Sequence, residues 1–273
     1  MADRTVEERL RIGAVSYLNT KPLICGLEEE NPLWRLELDL PSRLADRLEA
    51  GTLDVALIPS IAYWQRPGYR IVSNACIGCR GPVLSVKLVA RCPMQHIRSL
   101  ALDEGSRTSV ALAQILLKER LGISPSLRPF PIGQPLEETT ADAVLIIGDR
   151  AMHVDESPFA EVWDLGDQWI GWSGLPFVFA MWVARPGVPV ETLERILGEA
   201  RDRGCRSLES IAAAEAARLD WPAERCVDYL SRHLHFTLGP EEWAGLRLFY
   251  KHAVREGFAP AGWKPDRSEV VVP

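Results

Sequence analysis

The sequence predicts an α/β protein of two lobes with a ligand cleft between them. Three observations carry that expectation. Strand-length apolar runs alternate with helical stretches through the first half of the 273-residue chain, the pattern of βαβ units. A second α/β block follows from about residue 93. Two β-rich runs, Val83–Cys92 and Phe177–Arg185, join the blocks. The first lobe is therefore expected to hold residues 1–92 plus 181–273, and the second residues 93–180.

The elements follow in order. Ile12–Val15 reads as a strand, and Lys21–Glu29 as a helix after a polar turn. Trp34–Leu40 is a strand, and Pro41–Ala50 a helix with Leu44 and Leu48 on one face and Gly51 as its stop. Val55–Ile58 closes two consecutive βαβ units, which imply a parallel sheet. Ile71–Ser73 and the β-prone run Val83–Ala90 come next. Leu100–Leu102 is a strand, and Asp103 to Ser109 a turn and cap. Val110–Leu121 is a helix with apolar spacing at Leu112, Ile115 and Leu116, stopped by Gly122. Leu127–Pro129, Ala143–Ile147 and Phe177–Val183 complete the strands. Helices are expected at Glu191–Leu208, Leu208–Leu219, Ala223–His233 and Pro240–Gly257, with a surface extension after Pro260. Together this is the plan of a type II solute-binding fold, periplasmic-binding-protein-like, whose lobes close over ligand about a hinge.

Composition narrows the function. With 47% hydrophobic and 25% charged residues, the chain is an ordinary core-forming protein. Its net charge of −6 and lack of a basic stripe argue against nucleic acid. The N-terminus has no apolar signal region, and no run approaches the roughly 18 apolar residues of a membrane span. A cytoplasmic location is expected, with the six cysteines as reduced thiols. Cys76 and Cys79 have C-x-x-C spacing, but no second pair completes a zinc site and no helix opens there. No phosphate loop, dinucleotide fingerprint or metal set is visible, so no cofactor is expected.

The candidate site begins at the end of the first strand. Ser16, Tyr17, Asn19 and Thr20 stand where the strand Ile12–Val15 gives way to a helix. Small ligands bind outside the carboxyl ends of strands in open α/β sheets, and helix N-termini favour anions. Ser60 follows the strand Val55–Ile58 and Pro59, at a second such end. Ser106, Thr108 and Ser109 open a helix, where they cap it or hold a carboxylate. Asp149 is a candidate acid, base or binding residue, or a local ion pair with Arg150. His153 follows closely on a loop. Trp163, Trp169, Trp172 and Trp182 read as core and hinge packing. The segment Gly166–Pro176 reads as a loop with freedom at Gly171 and Gly174 to close over the cleft.

Five segments in order carry a family resemblance: Val15–Leu23, Asp54–Ser60, Gly81–Lys87, Asp103–Ser109 and Leu145–Asp149. Over about residues 10–185 the chain resembles the MqnA family, the chorismate dehydratases of the futalosine route to menaquinone. The sister MqnD family shares the fold but carries a His-Glu pair where this chain has Gly148-Asp149. The resemblance implies chorismate as substrate and 3-[(1-carboxyvinyl)oxy]benzoate and water as products. It also implies a cleft-facing Ser85 and catalytic or orienting roles for Asn19 and Ser85. Substrate contacts are expected from Ser16, Ser60, Ser106, Thr108, Ser109 and Asp149. None of the five histidines falls at a strand end of the first lobe. The enolpyruvyl carboxylate of the substrate is therefore expected to take the ring proton itself. Two other readings stand beside this one: a non-catalytic small-carboxylate-binding protein of the same fold, and an enzyme of the sister type. Oligomeric state is not legible in the sequence.

Overall fold

The computed structural model describes residues 10–31 and 33–263. The expectations for the first nine residues and for Lys264–Pro273 lie outside the described residues. The strands are β1 (Leu10–Val15), β2 (Trp34–Asp39), β3 (Val55–Pro59), β4 (Arg70–Cys79), β5 (Val86–Ala90), β6 (Ser99–Asp103), β7 (Ser126–Phe130), β8 (Ala143–Ile147), β9 (Glu161–Asp164), β10 (Phe177–Ala184) and β11 (His235–Thr237). The α-helices are α1 (Leu27–Glu30), α2 (Pro41–Glu49), α3 (Ser60–Trp64), α4 (Thr108–Leu121), α5 (Leu165–Ser173), α6 (Leu193–Cys205), α7 (Leu208–Leu219), α8 (Ala223–Asp228) and α9 (Pro240–Arg255).

Two sheets form. One has six strands in the order β11-β4-β10-β3-β1-β2, the other five in the order β7-β6-β8-β5-β9. The βαβ units behave as expected: β1 pairs in parallel with β2 and β3, and β6 with β7 and β8. Neither sheet is purely parallel. β10 runs antiparallel between β3 and β4, and β5 antiparallel between β8 and β9. Every residue of β3, β8 and β10 is buried. Strands covered on both faces read as continuous apolar runs, which is why these three were legible.

Because β5 lies in the second sheet and β10 in the first, the chain changes sheets at residues 80–85 and 174–176. The lobe boundaries expected from the sequence, after residues 92 and 180, lie a few residues beyond these crossings. The first of these crossings is tightly held. Leu84 has φ +61°, an uncommon left-handed conformation for a branched side chain. Asp164 secures it by accepting the Val83 and Leu84 N–H groups at 2.9 and 2.6 Å.

Several elements depart from expectation. Lys21–Glu29 is not one helix: a 3₁₀ turn spans Leu18–Ile24 and the short α1 follows. Gly26, at φ +74°, separates them. Pro22 packs so closely on α6 that a Cβ on Gly204 would lie 2.0 Å from its carbonyl oxygen. The segment expected as a mobile loop, Gly166–Pro176, is largely helix α5. Asp164 caps α5 through the Gly166 and Asp167 N–H groups, and burial of Trp169 anchors it. Two glycines hid that helix, and tertiary packing overrode their low propensity. β4 extends through both C-x-x-C cysteines. Both are buried, and burial pushes the Cys79 thiol up to about 12. The last expected stretch of helix before β11 ends in a π turn, Tyr229–His233. No helix among the described residues is long and apolar enough to cross a membrane.

Candidate active site

A cleft of about 500 Å³, counting its open mouth, lies between the two sheets. The first sheet supplies Val15, Tyr17 and Asn19 at the end of β1, Pro59 of β3, Ile77 of β4, and Phe179 and Ala180 of β10. The second supplies Ser85 and Val86 at the start of β5, Ile147 and Gly148 at the end of β8, and Ser106, Thr108 and Ser109 around the start of α4. Its polar groups are thus neutral hydroxyls and one amide. Among the described residues, no aspartate, glutamate, lysine, arginine or histidine lines it.

Local chemistry explains the geometry at each wall. Asp103 is 1% exposed, and its charge is met inside the protein. It accepts the Gly105 and Ile147 N–H groups at 2.9 and 3.0 Å and pairs with Arg150 at 2.5 Å. The loop into α4 is therefore shaped by the ion pair of Asp103 with Arg150, whose side chains do not line the cleft but whose charges act on the Tyr17 phenol that does. The Ser109 N–H donates to the Ser106 hydroxyl at 3.2 Å. N–H groups of a first helical turn lack intrahelical partners and suit an anion. Gly148 has φ +71°, and a Cβ there would sit 2.5 Å from the Tyr17 ring. The ring lies flat on bare backbone, and only glycine permits that approach. Burial raises the Tyr17 phenol above its ordinary pKa, reinforced by the Asp103 and Asp149 charges and opposed by Arg150, so it stays neutral.

Of the expected site residues, Asn19, Ser85, Ser106, Thr108 and Ser109 come together in this cleft. Asn19 is 9% exposed, and its amide oxygen accepts the Thr20 hydroxyl at 3.3 Å. Ser85 is pinned at both main-chain ends. Its N–H donates to the Val83 carbonyl at 2.7 Å, and its carbonyl accepts the Gly148 N–H at 2.9 Å.

Three expected residues do not line the cleft. Ser16 prolongs β1 instead, its N–H donating to the Asp39 carbonyl at 3.1 Å. Ser60 is fully buried; its hydroxyl donates to the Val178 carbonyl at 2.8 Å and lies 3.3 Å from the Thr108 hydroxyl. It joins the sheets behind the cleft. Asp149 makes no local pair with Arg150, which is taken by Asp103. It accepts the Leu18 N–H at 3.0 Å and meets Arg218 at 3.1 Å. His153 packs against Trp221, with ring centroids 5.6 Å apart.

Two residues were missed. Tyr17 sat inside the opening segment without a role. Tyr229 is 1% exposed and donates its hydroxyl hydrogen to Ser85 Oγ at 2.8 Å. It arrives from the π turn after α8, and π turns inside helices cluster at functional sites. A π turn has no sequence signature, so its side chain carried no signal in the chain.

Comparison with known proteins identifies the family and the fold. Residues 10–255 match the profile of a family described as menaquinone biosynthesis. A chorismate dehydratase from Thermus thermophilus is 34% identical over 268 residues, covering 91% of this chain and 96% of that protein. Among solved structures, an Archaeoglobus fulgidus protein superposes with a TM-score of 0.72 at 17% identity, covering 93% of this chain and 99% of the other. The aliphatic sulphonate binding protein SsuA from Escherichia coli superposes at 0.61 with 16% identity, covering 97% and 92%. A Candida albicans protein with the generic periplasmic binding protein fold gives 0.63 at 10% identity, covering 93% and 92%. These likenesses show the periplasmic-binding-protein-like fold, and the match over residues 10–255 makes this chain a member of the menaquinone biosynthesis family.

Proposed function

We propose that this protein is a chorismate dehydratase, a hydro-lyase that converts chorismate to 3-[(1-carboxyvinyl)oxy]benzoate and water. The observation that carries the reading is the cleft itself, whose polar lining is six neutral side chains, Tyr17, Asn19, Ser85, Ser106, Thr108 and Ser109. Chorismate is a dianion with one carboxylate on the ring and one on the enolpyruvyl arm. Neutral donors and the start of α4 suit its two ends without a counter-ion. The identity to the Thermus thermophilus dehydratase supports the same substrate.

The reaction breaks a ring C–H bond and the C–O bond to the neighbouring hydroxyl. The C–H electron pair enters the ring, the ring becomes aromatic, and the C–O pair leaves with oxygen. The enolpyruvyl carboxylate takes the ring proton, and that proton with the departing hydroxide makes water. Asn19 and Ser85 orient the substrate and donate hydrogen bonds as charge develops on the leaving oxygen. Ser106, Thr108 and Ser109 hold a carboxylate. Asp149 acts from behind the cleft rather than on the substrate. The two lobes follow the two sheets, and the enzyme works in the cytoplasm on a free small molecule, without cofactor, nucleic acid or membrane.

Incubation of the purified protein with chorismate tests this. An aromatic product of the expected mass, with its ultraviolet band, is the expected result. Tight binding with no conversion would identify a binding protein of the same fold instead.

A further inference from the structure

Tyr229 does not line the cleft, yet it touches the groups that do. Its hydroxyl reaches Ser85 Oγ at 2.8 Å, and the Asn19 side chain is a second polar neighbour of the same phenol. Asn19 follows β1 of the first sheet, and Ser85 precedes β5 of the second. One buried phenol therefore stands behind both residues, from a third part of the chain.

Valence decides what this does to Ser85. A serine hydroxyl has one proton to donate and two lone pairs. The Tyr229 hydroxyl occupies a lone pair, and the two main-chain bonds of Ser85 fix its backbone. The Ser85 proton is left to point into the cleft. A hydroxyl that accepts one hydrogen bond is polarised into a stronger donor.

We propose that Tyr229 is a positioning residue, presenting Ser85 to the substrate as a hydrogen-bond donor rather than as an acceptor. The inference rests on the dehydratase reading. No proton passes to Tyr229. As the C–O bond breaks, its electron pair goes to the leaving oxygen, which the Ser85 O–H stabilises, and the water proton comes from the enolpyruvyl carboxylate. This also assigns Ser85 away from the role of a base, since its proton is committed outward.

Tyr229→Phe removes the hydroxyl and keeps the ring against Trp221, where the centroids are 6.5 Å apart. We expect kcat to fall about tenfold, less than the roughly 10²–10³ of deleting a direct donor, with KM for chorismate little changed. On a Ser85→Ala background the same substitution should change kcat by less than about twofold, since residues acting as a unit are non-additive. Equal losses on both backgrounds, or no loss on either, would overturn the inference. A second measurement does not depend on turnover. With tyrosine labelled with ¹³C at Cζ, the Tyr229 resonance, assigned by its absence in Tyr229→Phe, should move in Ser85→Ala. A resonance that stays in place overturns the inference alone. A wild-type protein without turnover would overturn the reaction, leaving the resonance to decide the hydrogen bond.

Discussion

Asp149 Oδ1 accepts the Leu18 N–H at 3.0 Å, tying the end of β8 in one sheet to the turn after β1 in the other. Its second oxygen meets Arg218 of α7 at 3.1 Å. Burial raises the pKa of this carboxyl, while the Leu18 and Arg218 hydrogen bonds pull it back down. Both oxygens are thus engaged in joining elements. Asp149→Asn retains an acceptor for Leu18 and loses only the charge toward Arg218. We expect kcat within about tenfold of wild type, since positioning through a retained contact is a modest term. Steady-state kinetics with chorismate checks this. If turnover vanishes while chorismate still binds, Asp149 is the proton acceptor and the substrate-assisted route is wrong.

Asp54 offers a test by pH. It receives Arg11 Nη2 at 2.8 Å and Arg185 Nη2 at 2.6 Å, linking the start of β1 to the end of β10. Burial opposes its ionisation, but the Arg11 and Arg185 hydrogen bonds prevail and hold the carboxyl at about 2. In an unfolded chain an aspartate titrates near pH 3.9. Between those values the unfolded state binds more protons, so stability falls as pH falls. The contribution is fully present above about pH 4 and disappears toward about pH 2. Asp54→Asn should cost about 1–3 kcal/mol at pH 7. In urea titrations the gap to wild type should narrow at pH 3; a gap constant with pH would refute the assignment.

Gly148 supports a third prediction. Its φ of +71° with ψ of −159° belongs to a region open essentially to glycine, and a Cβ would press on the Tyr17 ring. Gly148→Ala should destabilise the protein by about 1–3 kcal/mol through backbone strain alone. Tyr17 must also move, so KM for chorismate should rise. Thermal unfolding and kinetics on one preparation read both effects. Wild-type KM in a destabilised variant would mean that the Tyr17 ring does not shape the bound substrate.

What was legible in the chain follows from the range of the forces involved. β1, β3, β8 and β10 announced themselves because buried strands are apolar runs. Asn19 and the Ser106–Ser109 cap are legible because each lies at a strand or helix end, whereas Ser85 sits in an apolar run and only the family resemblance points to it. The departures are long-range. α5 forms because Trp169 is buried and Asp164 caps it, against its glycine content. Ser60 and Asp149 also lie at strand ends, yet their polar atoms are used between the sheets. A motif marks the position and not the direction of the side chain. Tyr229 contacts Ser85 across 144 residues through a π turn, and no pattern of spacing reports such a contact.

Asn19→Asp tests the neutral cleft most directly. The two side chains have nearly the same shape, so packing around this 9% exposed residue should survive. The change adds a negative charge and removes an amide donor in a cleft where no cationic side chain among the described residues offsets it. Two like charges about 4 Å apart repel by about 4 kcal/mol at an effective dielectric near 20. A dianionic substrate should therefore bind at least about 100-fold more weakly at pH 8. The introduced carboxyl is buried beside a bound anion, and both effects raise its pKa. Protonation on acidification removes the repulsion, so KM should fall as pH falls. Asn19→Ala, which loses the donor without adding charge, should show no such slope. The comparison separates charge from lost hydrogen bonding. Wild-type affinity in Asn19→Asp at pH 8 would place the bound carboxylates away from Asn19 and remove that residue from the substrate-facing wall.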